Sequence, residues 1–303
     1  MPSTTAARSI SPHNITTASM PHPATQRLPA GVTDGLWDYV NRTTISKDYD
    51  AYFAHNQLFQ FDEQVVVRQL EAHDIDRESY VADLGCGTGR IVMPVARRGY
   101  KALAIDLSAS MLAVASAKAV EAGLPIQCLR ANLVDLACLT DNSCAAALCM
   151  FSTLGMIQGR ENRHRCLRHM GRILQPGGLL VLHVHNYWYS LFDRGGVGWM
   201  LRNILGAILP GNVERGDKFF EYRGVPNMFL HIFRQGELRR ALLRAGFCIQ
   251  ELIPLAPTRD RPLSWPMLAG SLRANGWIAV CDLPQTTRRD GAKGTSLKSA
   301  GTR

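Results

Sequence analysis

The stretch Val81-Ala82-Asp83-Leu84-Gly85-Cys86-Gly87-Thr88-Gly89-Arg90 constrains this chain more than any other. Tyr80–Leu84 is a short apolar run and Ile91–Arg98 has a helical pattern, so the glycines form a turn between a strand and a helix. Glycine is needed where the backbone takes positive φ, or where a ligand must reach the main chain with no Cβ in the way. The helix that follows opens on free N–H groups. About twenty residues after the first glycine, the next strand ends at Asp106, placed to accept hydrogen bonds from both hydroxyls of a ribose. Glycine turn and acidic strand end together imply a nucleoside-containing ligand.

Glycine spacing separates the candidates. Dinucleotide folds favour Gly-x-Gly-x-x-Gly, whose third glycine lets the helix pack beneath a pyrophosphate. Here the spacing is Gly-x-Gly-x-Gly with Asp83 before it. A carboxylate at that point suits an ammonium group on the ligand and repels a pyrophosphate. An NAD-linked oxidoreductase is therefore the less favoured reading.

The rest of the pattern alternates. Lys101–Ile105 reads as a strand, and Ser108–Ala122 as a helix with Ser108 as N-cap. Pro125–Arg130 and Ala145–Phe151 read as strands. Glu161–Leu174 reads as an amphipathic helix, and the turn Pro176-Gly177-Gly178 leads to a strand Leu179–His185. Strands without a polar face argue for a parallel sheet covered on both sides. Gln235–Ala245 is a further helix, and Phe247–Leu255 and Trp277–Asp282 complete a doubly wound, seven-stranded, mostly parallel α/β sheet. Between the fifth strand and that helix lies an aromatic, Gly-rich insertion, residues 187–235, read as facing the substrate because it follows a strand's carboxyl end. Residues 1–33 and 284–303 read as a disordered arm and a disordered basic tail around a domain of residues 34–283.

In this order the motifs resemble the class I methyltransferases that use S-adenosylmethionine (SAM), specifically the bacterial methyltransferase-11/12/25 type, over roughly residues 45–282. Asp83 through Gly89 resembles the family's first motif, which holds the methionine moiety. Ala104-Ile105-Asp106-Leu107-Ser108 resembles the second, with Asp106 on the ribose and Met111 packed near the adenine. Ala131-Asn132-Leu133 stands where the family has Gly-Asp-Leu or Gly-Asp-Ala, so Asn132 replaces the acid that receives the adenine amino group. Its amide can still accept there and donate to a ring nitrogen. Leu148-Cys149-Met150-Phe151 resembles the fourth strand beside the methyl group, and Arg172 through Gly178 the turn before the fifth. Asp48-Tyr49-Asp50 resembles an N-terminal element that closes over the cofactor. The resemblance implies SAM as cofactor, held by Tyr49, Asp83, Gly85, Cys86, Gly87, Gly89, Asp106, Leu107, Met111, Asn132, Leu133 and Phe151.

The acceptor is approached by elimination. Neither an Asn/Asp-Pro-Pro-aromatic element nor a Pro-Cys pair follows the fourth strand, which argues against base methylation at an exocyclic amine and against covalent cytosine chemistry. The net charge is +9, of which the last twenty residues carry +4 and the first 33 carry +2, leaving +3 for the core. That core has no marked basic excess for a phosphate backbone. A small-molecule acceptor is expected, with RNA methylation or a non-catalytic SAM-binding regulator as alternatives. His185 and Tyr187, at the end of the fifth strand, are the candidate acceptor-side residues, while His183 reads as a core histidine. Methyl transfer needs mainly alignment and desolvation, so the sequence names neither acceptor atom nor base, and it is silent on oligomeric state. The eight cysteines show no metal-ligand or Cys-x-x-Cys spacing. Reduced thiols, no apolar run of membrane-spanning length and no secretory signal pattern lead to the expectation of a cytoplasmic protein without a metal site.

Overall fold

The computed structural model describes residues 27–54, 58–208 and 213–285. The predicted arm up to residue 26 and the predicted tail from residue 286 lie outside them. Three helices come first: α1 (Asp34–Asn41), α2 (Thr43–Phe53) and α3 (Leu58–Ala72). The alternating part runs β1 (Tyr80–Leu84), α4 (Val92–Arg97), β2 (Lys101–Asp106), α5 (Ala109–Glu121), β3 (Ile126–Arg130), β4 (Cys144–Cys149), α6 (Arg160–Ile173) and β5 (Leu174–His185). After a 3₁₀ turn (Tyr187–Phe192) come α7 (Gly196–Ile208), β6 (Asp217–Tyr222), β7 (Val225–His231), α8 (Gln235–Arg244), β8 (Cys248–Pro254), α9 (Gly270–Arg273) and β9 (Gly276–Asp282).

Seven strands form one sheet in the order β3-β2-β1-β4-β5-β9-β8. The first five pair in parallel, and β9 runs antiparallel to both its neighbours. The chain winds outward from β1 to β3, then crosses back to β4. This reversal opens a crevice beyond the carboxyl ends of β1 and β4, where open α/β sheets bind ligands. All six residues of β4 are buried, as a central strand covered on both faces requires. Ser108 caps α5, its hydroxyl accepting from the Met111 N–H.

Period-two alternation along β5 sorts its side chains. Leu180, Leu182 and Val184 join the core under α6 and α8 with Leu167, Met170, Leu238 and Leu242. Leu179 and Val181 join the opposite core with Val65, Val66 and Leu70 of α3 and Val95 of α4. The strand begins earlier than the pattern predicts. Its pairing jumps from Cys144–Leu174 to Ala146–Leu179, so the Pro-Gly-Gly turn is a bulge inside one strand and not a loop before it.

The insertion contributes a separate two-stranded sheet, β6 with β7. This hairpin packs on α1, where Val225 and Met228 meet Val32, Leu36, Val40 and Met111. Gly35 sits at the closest approach, and a Cβ there would lie 2.3 Å from the Asn227 carbonyl oxygen. Residues 30–33 thus differ from the expected arm. Val32 is buried, Thr33 caps α1, and the Gly31 carbonyl accepts from the Gln158 N–H at 2.8 Å. One apolar residue in a Ser/Pro-rich context gave little periodicity to read, and tertiary contacts supply the order.

Candidate cofactor and acceptor site

The crevice is a cleft of about 1040 Å³, counting the solvent at its mouth, the size that takes a small organic ligand. Its floor is the glycine loop. Gly87 has φ +56, and a Cβ there would meet nothing within 4 Å, so the bare backbone faces the open cleft. The Gly87 N–H donates to Asp106 Oδ2 and the Ser108 N–H to Asp106 Oδ1, each at 2.8 Å. Those bonds hold the carboxylate at the end of β2, and each oxygen keeps a lone pair for a ribose hydroxyl. Burial pushes the Asp106 carboxyl up, and the N–H groups of Ser108 and Gly87 oppose the shift. Burial likewise lifts Asp83 to about 7, against the pull of Arg90 and of a hydrogen bond from the Val92 N–H at 3.1 Å.

Helix α2 is strapped to this loop. Thr88 Oγ1 donates to Asp50 Oδ1 at 2.6 Å, and Lys118 Nζ reaches both Asp50 Oδ2 (2.8 Å) and the Thr88 carbonyl (2.7 Å). Tyr49 thereby lines the cleft, with its phenol pushed up by burial to about 12. Beside it, Arg90 Nη2 lies 3.1 Å from Asp62 Oδ2, and the guanidinium sits 4.0 Å from the Phe59 ring centre. Arg90 Nη1 is buried with no hydrogen-bond partner among the described residues. That donor suits a carboxylate, Asp83 suits an ammonium group, and Gly87 leaves the space a nucleoside needs. The residues present fit SAM.

Asn132 lines the cleft in a way the motif did not predict. Its Oδ1 accepts from the Val134 N–H at 3.1 Å and its Nδ2 donates to the Ala30 carbonyl at 2.9 Å. The amide therefore fastens the segment that carries Gly31 across the cleft wall. At the end of β4 the chain makes two successive left-handed residues, Phe151 (φ +55) and Ser152 (φ +63). Each costs about 1 kcal/mol or more. This turn sets the Phe151 ring 5.3 Å from Phe59 and 5.7 Å from Phe53.

The predicted residues separate clearly. Tyr49, Asp83, Gly85, Cys86, Gly87, Asp106, Leu107, Met111, Asn132, Leu133 and Phe151 all line the one cleft. Gly89 does not; it turns the loop at φ +91 where a Cβ would press on Met93 at 3.2 Å. Tyr187 is a correction. It is fully buried in the insertion's own small core, its ring near Trp188 and Trp199 (5.4 and 5.7 Å) and under Arg215 (5.0 Å). The 3₁₀ turn after Asn186 ends the strand alternation and carries Tyr187 away from the cleft. His185 stays at the β5 end, outside the cleft lining, with its ring 5.3 Å from that of His183. Burial takes His185 down to about 3 and His183 well below its usual value, so both rings are neutral near pH 7. Sequence reasoning missed Gly31, Leu36, Tyr39 and Val40, because no motif marks α1, and Arg90, which was in view at the end of the loop without a role.

Fold, switch-point cleft and acidic strand end define a nucleoside-cofactor domain of the Rossmann-like class. Residues 81–178 match the family model described as a methyltransferase domain. The ubiquinone biosynthesis O-methyltransferase of Chromobacterium violaceum is 24% identical over 61% of this chain and 74% of its own length. That of Xanthomonas oryzae is 30% identical over 39% of this chain and 48% of its own. A SAM-dependent methyltransferase from Methanosarcina mazei superposes with a TM-score of 0.56 at 21% identity, over 71% of this chain and 97% of that one. The chain spans about half the length of the first curated relatives it matches. No helix among the described residues is long and apolar enough to cross a membrane.

Proposed function

We propose that this protein transfers a methyl group from SAM to a small-molecule acceptor. One observation carries the reading: bare backbone at Gly87 and a fixed carboxylate at Asp106 meet on one wall of the cleft. SAM, when bound, supplies a methyl group activated by its sulfonium charge. Asp106 accepts from the ribose hydroxyls. Leu107, Met111, Leu133, Asn132 and Gly31 would hold the adenine. Arg90 Nη1 donates to the methionyl carboxylate, and Asp83 attracts the ammonium. Tyr49 and Phe151 would exclude water from the sulfonium end of the cofactor, which strengthens charge interactions there.

A small acceptor fits the end of the cleft walled by Tyr49 and Phe151, and the Chromobacterium relative is a ubiquinone biosynthesis O-methyltransferase. All eight cysteines are free, five of them buried, which supports a reducing, cytoplasmic setting. The test has two parts. Mass spectrometry of the purified protein should find SAM or S-adenosylhomocysteine, and calorimetry should show Asp106→Ala binding SAM at least about tenfold more weakly. Equal affinity in the two proteins removes Asp106 from the site.

A further inference from the structure

Between the end of β5 and α3, outside the cleft lining, lie buried polar groups that no step of cofactor binding uses. His183 is fully buried, and neither ring nitrogen has a hydrogen-bond partner among the described residues. Its alternation with Val181 points it toward α3, whose Asp62 is also fully buried and ion-paired with Arg90. The loop between β8 and β9 closes this end. Leu255 bridges to Pro262, the Ala256 N–H donates to the Arg261 carbonyl, and the tight turn forces Arg259 to φ +60. The Leu255 N–H also donates to the Gly276 carbonyl, and Gly276 pairs with His185, so this loop stands at the same end of the sheet as His185.

Arg259 is half-buried in that turn, and among the described residues its side chain has no hydrogen-bond or ion-pair partner. A partly desolvated guanidinium without a counter-ion is costly, and a left-handed arginine adds about 1 kcal/mol of strain. We propose, resting on the methyltransferase reading, that Arg259 anchors a carboxylate on a planar acceptor stacked beside Phe59 and Phe151, with His183 and His185 at its hydroxyl or amine. The charges agree. Burial lowers the Arg259 guanidinium while Asp62, Tyr189 and Tyr222 support it, and its field reaches His183 and His185. Asp62 is already paired with Arg90, so the two guanidiniums and one carboxylate leave a net positive charge for an anion to neutralise. Phe59 and Phe151 meet edge to face at 5.3 Å, an aromatic corner that orients a flat ring.

The test uses the full chain and fluorine NMR of two probes, 4-fluorobenzoate and the neutral 4-fluorobenzyl alcohol, with and without S-adenosylhomocysteine. The acid should bind saturably and at least about tenfold more tightly than the alcohol. Arg259→Leu should abolish that preference, Arg259→Lys should retain part of it, and Arg261→Ala, an exposed neighbour paired with Asp260, should leave it unchanged. Acid and alcohol binding equally, no binding of the acid to the wild type, or undiminished acid binding in Arg259→Leu overturns the proposal. If Arg259→Leu does not fold, the lysine variant decides, with an unchanged acid-to-alcohol ratio counting against the anchor. Calorimetry with S-adenosylhomocysteine is read separately. Its failure removes the methyltransferase reading, and the acid preference measured without it still decides the anion site.

Discussion

Replacing Asp83 by Asn should stabilise the cofactor-free protein above pH 7 and weaken SAM binding. Asp83 is 3% exposed, and its carboxyl rises from the ordinary value of 3.8 to about 7 because burial outweighs Arg90 and the Val92 N–H. In the unfolded chain it titrates normally. A carboxyl raised on folding favours the folded state while protonated. That contribution is complete below about pH 4 and is lost as the pH rises through about 7. Three pKa units correspond to about 4 kcal/mol, an upper bound on what the buried charge costs the fold at pH 8. Asn carries no charge and keeps an oxygen for the Val92 N–H, so Asp83→Asn should exceed the wild type by about 1–4 kcal/mol at pH 8, with a gap that shrinks toward pH 5. A bound ammonium group reverses the preference by favouring the carboxylate. Wild-type affinity for SAM should therefore rise between pH 6 and 8, and the variant's should not. Urea melts at pH 5, 6.5 and 8, with calorimetry at the same values, measure both effects. A variant less stable than the wild type at pH 8 without cofactor refutes the argument, because desolvation would then not dominate at this carboxyl.

Gly87→Leu should fill the cleft floor and abolish SAM binding. The melting temperature should fall only slightly, since the added side chain meets open space and the left-handed φ costs about 1–2 kcal/mol; retained binding by calorimetry would contradict the cradle. Asn132→Asp cannot donate to Ala30 and sets a carboxylate against its carbonyl. Faster proteolysis near residue 30 and severalfold weaker SAM binding are expected, and wild-type values in both assays count against the clasp. His231 is fully buried between Asp217 (2.7 Å) and Glu237 (2.9 Å), joining β7, β6 and α8. His231→Leu leaves two carboxylates facing an apolar side chain and should cost about 3 kcal/mol or more in a urea melt.

The alternating half of the fold was legible because its signals are local. Strands β1, β2 and β4 are runs of buried apolar residues, Ser108 caps α5, and the glycine loop can be only a strand-to-helix turn in this context. Position in the sheet was less legible where local chemistry competes with pairing. Pro176-Gly177-Gly178 has the composition of a loop, yet pairing with β4 on one side and β9 on the other draws it into a bulged strand. Helix α1 escaped notice because its partners, the β6–β7 hairpin and Met111, lie far away in sequence.

The candidate site follows the same division, and Asn132 shows why. From the motif alone, Asn in place of Asp reads as a slightly weaker contact to adenine. In the fold, an Asp at this position could accept from Val134 but could not donate to Ala30, so the substitution changes which partner the side chain can hold. The amide gains a donor directed at a backbone carbonyl roughly a hundred residues away, and that bond keeps Gly31 and Val32 over the cleft. A departure from a motif is thus informative only together with the segment it contacts. Arg259 obeys the same logic in the loop between β8 and β9: nothing in Thr258-Arg259-Asp260-Arg261 distinguishes the two arginines in sequence. The left-handed turn buries one beside the histidines and leaves the other in solvent paired with Asp260.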